Sequence, residues 1–159
     1  KKGSTNNVEI SKMLVRLGYC DSINDAFKRY IIPSKKMTFD EKKEFSAYEC
    51  IDIINKAGGI PVLAHNYQLK KDYTELREYI CDLKNHGLMG LECYHSGFSI
   101  SGINNSLNLA KEYDLLITGG SDYHGPTVKP DIEIGLGKNN NLDISELSIE
   151  KYLNKKLRY

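Results

Sequence analysis

Gly58-Gly59-Ile60-Pro61-Val62-Leu63-Ala64-His65-Asn66 joins a helix stop, a short apolar strand and a polar end within nine residues. The run over 60–64 is unbroken by polar side chains, as suits a strand buried on both faces, and Pro61 must stand at its beginning because it cannot donate to a ladder. Upstream, Ser46 and Glu49 give the S-x-x-E capping signal of a helix with Cys50, Ile51, Ile53, Ile54 and Ala57 as its apolar residues. Downstream the alternation repeats: a helix over 72–85, a strand over 89–94, a helix over 103–113 and a strand over 115–118, with Gly87 and Gly119-Gly120 as punctuation. Helices of about 10 to 14 residues between buried strands of about five predict parallel β/α units. A last helix is expected over 145–155.

The pattern changes near residue 45. Ahead of it, Ile10, Met13, Leu14 and Leu17 fall at helical spacing, and Gly18 stands where a helix-ending glycine belongs. Ser22 with Asp25 caps a second short helix with Ala26, Phe27 and Tyr30 on its apolar side. Residues 31–45 are polar and lysine-rich around Pro33 and read as a solvent-facing loop. The expected organisation is a helical segment over 1–45 followed by a β/α part over 46–159.

With 159 residues, 40% hydrophobic and 27% charged, the chain can bury one ordinary core without a disulfide or metal staple. Lys+Arg 22 against Asp+Glu 21 leaves a net charge of +1, so bulk charge gives no reason to coat nucleic acid or an anionic membrane. Cys20, Cys50, Cys81 and Cys93 are scattered without a C-x-x-C pair, which reads as reduced thiols in a cytoplasmic setting. No apolar run approaches the roughly 18 residues of a membrane span, and residues 1–7 do not resemble a signal peptide. The abrupt polar start reads as a chain opened in mid-sequence.

Parallel α/β folds gather ligands beyond the C-terminal ends of their strands, and polar residues cluster there in this chain. His65, His95 and His124 each lie just past an expected strand, whereas His86 sits at a helix end, favoured by the dipole. In Asp122-x-His124 the two residues project to one side of an extended segment, so a carboxylate oxygen and an imidazole nitrogen can both reach an ion about 2.0 to 2.2 Å away. A mixed histidine and carboxylate set suits zinc, manganese or iron. His95 is a candidate substrate contact, and Lys129, shortly after His124, a candidate phosphate contact. Plainer readings stand beside these. The D-x-H pair also fits a loop with a hydrogen-bonded histidine, His65 a core histidine satisfied by backbone, and Cys93 buried filler. There is no G-x-S-x-G elbow, G-x-G-x-x-G turn or Walker lysine loop, which argues against a serine hydrolase, a dinucleotide-binding protein and a P-loop protein.

The segments 57–65, 90–95 and 117–125 together resemble the PHP family, named for polymerase and histidinol phosphatase, and within it the stand-alone phosphoesterases acting on nucleotides and RNA ends. The segment 129–135 is similar to the family's closing segment, and the helical part over 10–30 resembles the small insertion these members carry. The resemblance implies the C-terminal part of a distorted, TIM-like β/α barrel, preceded by that insertion. It implies hydrolysis of a phosphoester, in a phosphorylated small molecule or a nucleic-acid end, by water activated on a site of two or three divalent metal ions. His65, Asp122 and His124 match family ligands; the family's opening H-x-H motif has no counterpart, since no histidine precedes residue 65. Two more departures stand out: Asn66 replaces a usual proline and is expected to soften the loop after its strand, and Glu9 falls near a common histidine position. The expectation is a phosphoesterase fragment with little activity alone, the alternative a degenerate PHP-like binding or regulatory module. A weaker option is a single structural zinc on His65, Asp122 and His124 with Cys93. Half a barrel exposes open strand edges, so either a homodimer through such an edge or a compact rearranged sheet is expected.

Overall fold

The computed structural model describes residues 7–35, 45–144 and 147–156. Its Cα packing separates two units, one holding the described residues of 1–43 with 124–130, the other those of 44–123 with 131–159.

In the first unit, α1 (Asn7–Arg16) ends at Gly18, whose φ of +78° is the left-handed conformation that closes a helix. The Ser22 side chain accepts from the Asp25 N–H at the start of α2 (Ile23–Ala26). The chain stays helical where a loop was expected: a π turn at Phe27–Ile31 leads into α3 (Ile32–Lys35). The helix is continuous from α2, and the widened turn ahead of Pro33, where the Ile32 N–H reaches back to the Phe27 carbonyl, carries the chain through the proline. The rest of the expected loop, 36–44, lies outside the described residues. The stripe expected to be apolar is also different. Met13 and Leu17 are 61% and 62% exposed, Ile10 and Tyr30 are exposed too, and the buried residue of α1 is Ser11, whose hydroxyl donates to the Asn7 carbonyl. Buried apolar groups here are Cys20, Ile23, Ala26 and Ile31.

The second unit is a mixed α/β fold. Its sheet runs β1 (Val62–Leu63), β2 (Gly90–His95), β3 (Leu116–Gly120), all parallel and in that order. Parallel neighbours require crossovers, and these are α5 (Tyr73–Asn85) and α6 (Ile100–Glu112). Ser46 with Glu49 and Asp72 with Glu75 form reciprocal capping boxes on α4 (Ala47–Lys56) and α5, while Ser99 caps α6. The first strand is shorter than the apolar run suggested and both its residues are half-buried, because β1 pairs only with β2 among the described residues. Pro61, fully buried, precedes β1, and its carbonyl accepts from the Met89 and Gly90 N–H groups. Ile80, Leu83, Leu91, Cys93, Leu109 and Ala110 form the tightest part of the core. A short antiparallel hairpin that the sequence reading missed, β4 (Ile132–Glu133) with β5 (Gly137–Lys138), precedes α7 (Ser148–Lys156).

Candidate functional site

Because β1, β2 and β3 are parallel neighbours, their C-terminal ends open side by side, with Leu63 opposite Leu91 and His95 opposite Gly120. Immediately past β1 and β3 the backbone turns through left-handed conformations at His65 (φ +35°) and Asp122 (φ +57°). A non-glycine residue held there costs about 1 to 3 kcal/mol, and such residues concentrate at functional sites. Between them ends β2, where the pairing register shifts between Glu92 and Tyr94, leaving Cys93 as an extra residue. A bulge of this kind re-aims the side chains that follow it.

His95 is one of those side chains, and it is only 3% exposed. The Gly97 backbone N–H donates to its Nδ1 at 2.8 Å, and the rings of Tyr67 and Phe98 pack against it with centroids 5.3 and 5.7 Å away. A Cβ at Gly97 would lie 2.9 Å from the Tyr67 hydroxyl and 3.1 Å from Nδ1, so a larger residue there would shift the Tyr67 ring. The His95 Nε2 is buried without a hydrogen-bond partner, 3.5 Å from Asp122 Oδ2. A buried polar atom left unmade costs about 1 to 3 kcal/mol. The His65 ring meets the His95 ring edge-on at 6.1 Å.

Supporting contacts hold these residues in place. Glu92 Oε2 accepts from the His65 backbone N–H at 2.6 Å, and the Ser96 hydroxyl donates to the Ser121 carbonyl at 2.8 Å. Asn66 is not a softening element. It is 5% exposed and its amide donates to the Glu92 carbonyl and to the Ser106 hydroxyl, which ties the end of β1 to β2 and α6. The Asn141 amide donates to the Ser96 carbonyl and its Oδ1 accepts from Lys138, joining the turn after β2 to the missed hairpin.

The structure thus brings His65, His95 and Asp122 to one end of the sheet, whereas His124 and Lys129 belong to the first unit, the latter donating its backbone N–H to the Gly125 carbonyl. An imidazole and a carboxylate are suitable donors for a divalent cation. Among the described residues, however, no group of three or more His, Cys, Asp or Glu side chains is placed to hold one. Cys93 does not join such a set: burial, then the charge of Glu92, pushes its thiol up to about 12, so it stays protonated, and it donates to the Leu91 carbonyl. All four cysteines are free thiols. His86 caps the C-terminus of α5 and stacks against Tyr48. The sequence reading missed Glu92, Tyr67 and Gly97 as site residues. A carboxylate inside the otherwise apolar strand Gly90-Leu91-Glu92-Cys93-Tyr94 was the available signal for the first.

No family model matches the chain. It is 30% identical over 151 residues to a 5′-3′ exoribonuclease of Haemophilus influenzae, covering 94% of this chain and 53% of that protein. Over 79 residues it is 35% identical to the phosphoribosyl 1,2-cyclic phosphate 1,2-diphosphodiesterase of Eggerthella lenta, covering 50% of this chain and 28% of that one. A solved structure from Bifidobacterium adolescentis, named as a metal-dependent phosphoesterase, superposes with a TM-score of 0.64 at 28% identity, over 99% of this chain and 52% of that one. The chain spans about half the length, or less, of the curated relatives it matches. In sequence and in fold the chain is similar to phosphoesterases, the class that the resemblance to the PHP family implied.

Proposed function

We propose that this chain is the C-terminal β/α part of a metal-dependent phosphoesterase hydrolysing a phosphoester of a nucleotide or nucleic-acid end. The observation that carries the proposal is the meeting of His65, His95 and Asp122 past adjacent parallel strand ends, with a buried, unpartnered imidazole nitrogen 3.5 Å from the carboxylate. The relatives named exoribonuclease, diphosphodiesterase and metal-dependent phosphoesterase support the reaction class. In this reading His65, Asp122 and His124 hold the cation, zinc, manganese or iron. When bound, such an ion supplies an activated water near neutral pH and polarises a phosphoryl oxygen. Lys129 contacts the substrate phosphate, and the left-handed turns at His65 and Asp122 present their side chains to the open end of the sheet.

In the same proposal the sheet unit is one part of a TIM-like barrel, residues 1–45 are an insertion and 46–159 the barrel part, and the setting is cytoplasmic. No described helix is long and apolar enough to cross a membrane. The outer side of β1, unpaired among the described residues, favours association through that edge, a homodimer included. A degenerate binding module is the second reading, favoured by the absence of a three-ligand cluster among the described residues.

The deciding experiment measures hydrolysis of a 3′,5′-nucleoside bisphosphate and of a 5′-phosphorylated RNA oligonucleotide with manganese. The 159 residues alone should turn over little, and the longer polypeptide carrying them should be active and lose activity on His124→Ala or Asp122→Asn. Unchanged turnover in both variants would exclude the proposed metal role, and an inert longer polypeptide would favour the binding module.

A further inference from the structure

We infer that His95 is a positioning residue: a proton-bearing Nε2, fixed by the Gly97 backbone, that steers the Asp122 carboxylate. The inference rests on the reading of Asp122 as a cation ligand and goes beyond it by giving that ligand a partner.

A backbone N–H can only donate, so the nitrogen it meets must accept. The Gly97 N–H reaches His95 Nδ1 at 2.8 Å, which places the ring proton of the neutral imidazole on Nε2. The same tautomer removes the Nε2 lone pair a metal would need, so His95 is a donor and not a further ligand. Its orientation is set by packing on three sides, from Tyr67, Phe98 and the edge of His65. The group facing Nε2 is Asp122 Oδ2 at 3.5 Å, and a small rotation of the carboxylate closes this to a charge-assisted hydrogen bond. The Oδ2 side of the carboxylate is then oriented by the protein. Removing a hydrogen-bond donor that orients a metal-binding carboxylate changes metal affinity about 10- to 100-fold.

The test has two arms on the 159-residue chain. Nitrogen-15 NMR of the histidine side chains without metal should show His95 as the Nε2–H tautomer, with an Nε2 proton resonance that moves on Asp122→Asn. An Nδ1–H tautomer, or a signal indifferent to Asp122→Asn, would overturn the inference whatever the metal does. Calorimetric titration with manganese should then show affinity reduced about 10- to 100-fold in His95→Phe, which keeps a ring but not the donor, and recovered in His95→Gln, which restores an N–H. Equal affinity in wild type and His95→Phe would also overturn it. Manganese affinity unmoved by Asp122→Asn would instead count against the metal reading, and the NMR arm still decides the pairing.

Discussion

The two units obey the same local rules and end with different interiors. In the sheet unit, capping boxes start α4 and α5, and their apolar residues feed a core in which Ile80, Leu91, Cys93 and Leu109 have no exposed surface. In the helical unit the N-cap at Ser22 and the left-handed Gly18 are just as well formed, but Met13 and Leu17 stay more than half exposed and a serine is the buried residue of α1. Local signals therefore mark caps in both. Among the described residues, the sheet with its crossing helices closes a larger apolar core than the helical unit, which buries Cys20, Ile23, Ala26 and Ile31.

Truncation should break this comparison most sharply. Leu109→Ala, at a fully buried site, is expected to destabilise the sheet unit by about 2 to 5 kcal/mol, whereas Leu17→Ala, 62% exposed, should stay within about 0.5 kcal/mol. Urea unfolding of the two variants checks it, and equal losses would erase the distinction. A subtler contrast lies within β3. A Cβ on Gly119 would sit 2.6 Å from Tyr94 Cβ, while nothing lies within 4 Å of one on Gly120. Gly119→Ala should then cost about 1 to 3 kcal/mol and Gly120→Ala far less, as read from their midpoints.

Smaller effects follow from pH. The Cys93 thiol titrates near about 8.5 when unfolded and is pushed up to about 12 by burial in the fold. Its contribution is complete below the unfolded value and is lost as pH rises toward the folded one, because the unfolded chain then releases a proton the folded chain keeps. Stability should fall by on the order of 1 kcal/mol per pH unit in that window, and Cys93→Ala should flatten the slope. The slightest effect belongs to the pair of Arg77 and Glu112. The Arg77 side chain donates to Glu112 and, by that bond and its charge, holds the carboxyl below its ordinary value. That contribution is present above the unfolded carboxyl value and is lost as pH falls through the folded one. Both side chains are substantially exposed, so Arg77→Gln should soften the acid limb of the stability profile only marginally, and less still at high salt.

Much of the sheet unit was legible because its signals are local. Ser46 and Glu49, Asp72, Gly87 and the apolar runs around Val62, Leu91 and Ile117 mark ends and strands within a few residues. What escaped depends on contacts distant in sequence. The bulge at Cys93 is defined only by the register against β3, and the left-handed turns at His65 and Asp122 carry no glycine to announce them. Asn66 was misread because its partners, Glu92 and Ser106, lie 26 and 40 residues away. The strand-end rule did find His65, His95 and Asp122. It read His95 as a substrate contact and could not show the bond its ring accepts from the Gly97 backbone, which depends on the orientation of one ring. Pro33 misled in the opposite direction, reading as a loop where the helix continues past a π turn.

The most direct test of the account is anomalous diffraction at the manganese edge from crystals of the chain soaked in that metal. The account predicts a peak about 2.0 to 2.2 Å from the Asp122 carboxylate and the His65 imidazole. A peak elsewhere, or none at a concentration that saturates the related phosphoesterases, would contradict it.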